Sequence, residues 1–211
     1  MDTVIFARER ERRIRAFVTR FPYVSTSVLC KYFFPFKSGR RKCLQVVQRM
    51  VAGDEVRRLP DGEHLFYAGK RSRQWKHMRD VTRFHFNVLF SLEKYSDLLY
   101  YKREVEYPGG RADALYIVGG DVNIKFFLEM DDGANKFDKV SKYMAYADSR
   151  KWQGEFWGRD GNFPLILIIS LRLEEIADTI KRCKAEKFFR LMKKEKVYRD
   201  IIKQVSKNWE G

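Results

Sequence analysis

The sequence predicts a mixed α/β chain built in three parts: a basic, largely helical N-terminal domain over residues 1–72, an α/β domain over 73–185, and a basic amphipathic helical tail over 186–211. Three observations carry that prediction. Apolar residues recur at helical spacing through roughly the first 95 positions and then switch to a period of two. Clusters of Gly, Pro and Asp cut the middle of the chain into short segments of strand length. Hydrophobic residues make up 45% of the 211 positions and aromatic residues 15%, enough to fill one large core or two small ones.

Charge narrows the class of partner. Lys and Arg number 43 against 28 Asp and Glu, a formal charge of +15. Residues 1–72 hold 16 basic and 7 acidic side chains, so the first third of the chain carries +9 of that excess. A polyanion is the expected partner, and no membrane is expected: the most apolar run, Leu165–Ser170, is far shorter than the roughly 20 residues of a span. Met1–Phe6 runs directly into a charged helix and does not read as a secretory leader. Cys30, Cys43 and Cys183 are odd in number and far apart, which fits a reducing cytoplasm and small buried hydrophobes. With His64, His77 and His85 they show no zinc-ligand spacing, and no cofactor is expected.

The N-terminal elements follow in order. A first helix is expected over about Arg8–Phe21, with Ile14, Phe17, Val18 and Phe21 on one face. A second begins after Tyr23-Val24, with Ser25 or Thr26 as N-cap, Val28, Leu29, Tyr32 and Phe33 as its apolar face, and Pro35 as its stop. A third runs from about Ser38 to Gly53, with Leu44, Val47 and Val51 facing the core. Its Arg41, Gln45 and Gln48 form a separate stripe, flanked by Arg40, Lys42 and Arg49. These side chains hydrogen-bond base edges and phosphates. Residues 55–59 and 63–67 then read as two strands around the turn Pro60-Asp61-Gly62. Three helices followed by a hairpin make a winged helix-turn-helix, in which the third helix enters the major groove of double-stranded DNA and Arg57 and Arg58 of the wing follow the backbone.

A long helix without Gly or Pro is expected over Gln74–Tyr95, with His85 inside its apolar stripe as a structural histidine. Strands follow at Tyr100–Tyr107, Ala112–Val118 and Asn123–Met130, separated by turns at Pro108-Gly109-Gly110 and Gly119-Gly120-Asp121. A helix over Asn135–Trp152 presents Phe137, Val140, Met144 and Ala147 inward, and Phe163–Leu171 is a central strand. Residues from Arg172 to Asn208 read as helical and basic. With an apolar side (Ile176, Ile180, Phe188, Leu191, Ile201), the segment is expected to pack on the domain, pair with a second copy or contact DNA phosphates.

Carboxylates fall where strands end. Asp113 opens the second strand of the α/β domain. Glu129 and Asp131, two apart at the end of the third, are expected to leave one face. On neighbouring strands these acids would converge on one Mg²⁺ or Mn²⁺, with Asp113 and Glu129 as its ligands. The run Arg111-Ala112-Asp113-Ala114-Leu115, then Phe126 through Gly133, then Lys139 and Lys142-Tyr143, resembles the replication-relaxation family of plasmid and mobile-element proteins. That resemblance implies a winged helix joined to a PD-(D/E)xK nuclease-like domain. Asp131 stands where that motif has its lysine, and the resemblance places the lysine on the following helix, at Lys136, Lys139 or Lys142.

The expected function is that of a DNA-binding protein of a plasmid, phage or integrative element. It would regulate transcription or replication or assist assembly of a transfer complex, as a homodimer on a symmetric site or beside replication and transfer proteins. Its rivals are a metal-dependent endonuclease using Asp113, Glu129, Asp131 and Lys139, and a protein-interaction adaptor.

Overall fold

The computed structural model describes residues 2–61, 63–92, 97–119, 123–133 and 137–194. The chain is mixed α/β and divides into two compact units, Met1–Phe86 and Asn87–Gly211. The division falls inside a helix, later than the expected break after residue 72. Phe86 and His85 belong to the first core: His85 is 2% exposed and stacks on Phe21 at 4.9 Å, the structural role expected of it.

The N-terminal unit has the expected order of three helices and a hairpin: α1 (Asp2–Arg20), α2 (Thr26–Phe33), α3 (Gly39–Ala52), then the hairpin strands. A two-residue strand not read from the sequence, β1 (Val24–Ser25), precedes α2 and pairs with the second hairpin strand. The hairpin is β2 (Arg57–Asp61) and β3 (Glu63–Tyr67), in the order β1-β3-β2. Pro60 and Asp61 lie in the ladder and not in the turn, because Pro60 pairs with His64 at an edge where a missing N–H costs little. Ser25 caps α2, its hydroxyl accepting the Val28 N–H at 3.4 Å. Thr82 reaches back from α4 (Trp75–Leu92), its hydroxyl donating to the Pro22 carbonyl at 2.8 Å.

The buried face of α3 differs from expectation. Cys43, Val46, Val47 and Met50 are buried, whereas Leu44 and Val51 are only half-buried. Both sets recur at helical spacing, and the packing of α2 against α3 selects the first. Cys30 is half-buried and Cys183 exposed, so only Cys43 behaves as the small buried hydrophobe expected of all three.

The C-terminal unit is a five-stranded sheet whose order, β4-β5-β6-β7-β8, is also the chain order. β4 (Asp97–Tyr107), β5 (Gly110–Gly119) and β6 (Ile124–Met130) run antiparallel. α5 (Lys139–Ser149) then crosses over, so that β7 (Leu165–Ser170) joins β6 in parallel. α6 (Leu173–Arg182) crosses again to β8 (Phe189–Lys193), also parallel. The last strand corrects the expected helical continuation: residues 189–193 pair with β7 from Ile166↔Phe189 to Ser170↔Lys193. Lys184, at φ 51°, ends the helical course of the backbone ahead of that strand. The tail beyond residue 194, Lys136, and the turn residues Gly62, Gly120 and Asp121 lie outside the described residues.

α5 is shorter than the expected 135–152. Arg150 takes a left-handed φ of 54°, and two short 3-10 turns follow at 151–154 and 156–158. They bring Trp152 and Trp157 into a core with Phe127, Val140, Tyr143, Ile166, Ile168, Ile176 and Phe189. Lys125 is 5% exposed yet fully partnered. Its ammonium donates to the Trp157 carbonyl at 2.7 Å, to the Asn162 carbonyl at 2.9 Å and to the Asp160 carboxylate. Among the described residues no helix is long and apolar enough to cross a membrane.

Candidate functional site

Two clusters of the nominated residues emerge, one in each unit. In the N-terminal unit the burial of Cys43, Val46, Val47 and Met50 fixes which way α3 faces. A helix turns 100° per residue, so the side opposite that face carries Arg41, Gln45 and Gln48 at spacings of four and three. Arg40, Arg41, Lys42, Gln45, Gln48 and Arg49 are all exposed, as are Arg57 and Arg58 on β2. Arg41, Gln45 and Gln48 have no side-chain hydrogen bond or ion pair among the described residues.

Two of the nominated arginines have partners. Arg49, on the flank of α3, meets Glu11 of α1 at 2.8 Å, and Arg57 meets Asp54 at 3.4 Å. These exposed pairs are worth little and are easily exchanged for a phosphate. With no acid on α3 itself, every exposed polar side chain of this helix is cationic or amide.

In the C-terminal unit β5 and β6 are neighbours, with Ala114 opposite Leu128, which brings Asp113 beside Glu129. Beside Asp113 the pleat of β4 breaks at Glu104, whose φ is 50°. Asp113 accepts the Met130 N–H at 2.6 Å. Glu129 is 2% exposed and enters the layer between sheet and α5. Lys139 and Tyr143, one turn apart on α5, both reach it: the Tyr143 hydroxyl donates to Oε1 at 2.6 Å and the Lys139 ammonium to Oε2 at 2.5 Å. Lys139 also donates to the Arg111 carbonyl at 2.9 Å. Burial pushes the Glu129 carboxyl up to about 7, Asp113 adds to the rise, and Lys139 and Tyr143 oppose it. Tyr143 is buried against Tyr107, with ring centroids 4.5 Å apart, and its phenol is held well above its ordinary value, first by burial and then by the Glu129 charge.

The structure thus brings together three of the nominated residues, Asp113, Glu129 and Lys139, and places the fourth elsewhere. Asp131 falls just past β6, where Arg172 grips it through two hydrogen bonds of 2.9 Å and the Ser170 hydroxyl donates at 2.6 Å. Burial raises its carboxyl, but Arg172, Ser170 and the Gly133 N–H outweigh burial and leave it below its ordinary value. Lys142 pairs with Asp138 on the surface at 2.6 Å. Tyr143 completes the Glu129 centre, and its i,i+4 spacing from Lys139 is the sequence signal that marks it.

A divalent cation at this centre would have to compete with Lys139 for Glu129. Both oxygens of Glu129 already accept hydrogen bonds, and the ammonium of Lys139 supplies the positive charge that a metal would bring. Among the described residues no three His, Cys, Asp or Glu side chains stand together as a group that could hold a metal ion.

No protein-family model and no curated protein matches the chain. Among solved structures, it is similar to a repair endonuclease from Pyrococcus abyssi, at 14% identity and a TM-score of 0.37, over 62% of this chain and 51% of that one. The chain therefore spans about half the length of that structure.

Proposed function

We propose that this chain binds double-stranded DNA through its N-terminal unit, as a winged helix whose α3 enters the major groove and whose hairpin follows the backbone. The single observation that supports this most is the outward face of α3: Arg41, Gln45 and Gln48 stand in one exposed stripe opposite the buried face. Gln presents the donor and acceptor pair that matches adenine, and Arg the fork that matches guanine. Arg40, Lys42, Arg57 and Arg58 hold phosphates. By its resemblance to the replication-relaxation family, the chain serves a plasmid, phage or integrative element.

The test is fluorescence anisotropy with duplexes enriched from a random pool, read between about 50 and 200 mM salt. Gln45→Ala is expected to weaken the selected site and leave random duplex unchanged. Arg57→Ala should weaken both and lower the salt slope by about one. Absence of duplex binding at moderate salt would sink the proposal and leave the adaptor reading.

The convergence of Asp113, Glu129 and Lys139 favours a second reading, a metal-dependent endonuclease, and the occupied oxygens of Glu129 argue against it. Supercoiled plasmid incubated with Mg²⁺ or Mn²⁺ separates the two. Nicking by the wild type that disappears in Glu129→Ala would make the chain a nuclease. Intact plasmid in every lane is the outcome expected here.

A further inference from the structure

Between α3 and the hairpin of the N-terminal unit lies a hollow of about 240 Å³. Its floor is apolar. Val47 and Phe66 are each 2% exposed, and Leu44 and Val51 flank them half-buried. Its rim is polar and exposed, with Gln48 from α3, Arg58 from β2 and His64 from β3. None of these three side chains has a hydrogen-bond or ion-pair partner among the described residues. A guanidinium that pairs with no acid among the described residues, set above an apolar depression, is half of a recognition site. Its planar fork matches a carboxylate through two parallel hydrogen bonds, and the floor accepts a hydrocarbon. The volume lies below the roughly 300–1,000 Å³ of sites for drug-sized molecules, so the hydrocarbon is short.

We propose that this hollow binds a small amphipathic carboxylate, of the size of octanoate, and that the ligand displaces DNA. The carboxylate sits on Arg58 and Gln48 while the chain covers Leu44, Val47, Val51 and Phe66. The displacement rests on the DNA reading above, because Arg58 and Gln48 are then claimed by both partners. Binding of the carboxylate itself does not rest on it.

The experiment titrates sodium octanoate into the full chain without DNA, by calorimetry, with octan-1-ol in parallel. Saturable binding is expected, with octanoate at least about tenfold tighter than the alcohol, the worth of one charge-assisted contact. Arg58→Leu should abolish that preference, and Val51→Trp, which fills the hollow, should weaken octanoate at least about tenfold. Should Val51→Trp not fold, Ala52→Phe at the exposed rim gives the same readout. The proposal is overturned if binding is not saturable, if octanol binds as tightly as octanoate, or if the filled variant binds unchanged. A second arm adds octanoate to the protein–duplex complex, where release is expected from the wild type and not from Val51→Trp. Octanoate binding without any duplex binding would overturn the DNA reading and the displacement alone. Duplex binding with inert octanoate would overturn this inference alone.

Discussion

Replacing Lys139 with Met removes the cation from a carboxylate that is 2% exposed, and the cost should depend strongly on pH. Glu129 titrates near 7 in the folded chain against 4.5 for the free group. A carboxyl raised in this way favours the folded state fully below pH 4.5, and that contribution is lost as pH rises through about 7. The span is worth about 3 kcal/mol. At pH 8 the wild type holds an ionised Glu129 against Lys139. Stripping one partner from a buried pair costs about 3–5 kcal/mol. Lys139 is 30% exposed and already partly solvated, which lowers the expectation to about 2–3 kcal/mol. At pH 5 Glu129 is protonated, the ion pair is absent in both proteins, and the difference should shrink below about 1 kcal/mol. Urea unfolding followed by the fluorescence of Trp152 and Trp157, both buried in the C-terminal unit, reads the difference at the two pH values. Equal destabilisation at pH 5 and pH 8 would show that Lys139 acts by packing its stem, and the electrostatic account would fail.

Three further outcomes are expected. In Lys139→Ala one Glu129 oxygen loses its ammonium, so Mn²⁺ should raise the melting temperature of the variant and leave the wild type unmoved; a shift in both would mean the wild-type centre already takes metal. Lys125→Met should cost about 2–4 kcal/mol in chemical unfolding, because the carbonyls of Trp157 and Asn162 lose their donor inside the protein; a cost near zero would mean water replaces the ammonium. A Cβ at Gly39 would meet the Phe34 carbonyl oxygen at 1.9 Å, so Gly39→Ala should shift the start of α3, lower the melting point and weaken duplex binding together; unchanged affinity would separate that first turn from DNA contact.

How much of this was legible in the sequence varies with the distance over which each feature is decided. The period-two alternation and the Gly-rich turns gave the first three strands of the large sheet closely, since both signals are local. The exposed stripe of α3 was legible for the same reason, yet the opposite face was only partly so: Val47 is buried as expected, but Leu44 and Val51 share helical spacing with it just as Cys43, Val46 and Met50 do. Only the partner helix decides between them. Strand β8 escaped because Phe188, Leu191 and Met192 stand at i, i+3 and i+4, a helical spacing, and the ladder that makes it a strand comes from Ile166 to Ser170, some 23 positions earlier in the chain. Asp131 was drawn away by Arg172, 41 residues on, which no local pattern reveals. Lys139 was found through the family resemblance, whereas Tyr143 carried no assigned role until the geometry placed its hydroxyl on Glu129.

The large sheet adds its strands in the order in which the chain is made, β4 first and β8 last. Each new strand joins an edge that already exists, and no strand has to be inserted between two others. Assembly can therefore proceed in the direction of synthesis, with every pairing closing across a short or helix-filled connection, a topology that keeps loop-closure entropy low. Among the described strands the last to dock is that of residues 189–193, on β7. Until it docks, Leu165–Ser170 presents an unpaired apolar edge, the kind of edge that recruits other chains. A chain ended before residue 189 should thus be made readily and aggregate readily, its defect one of solubility more than of folding speed.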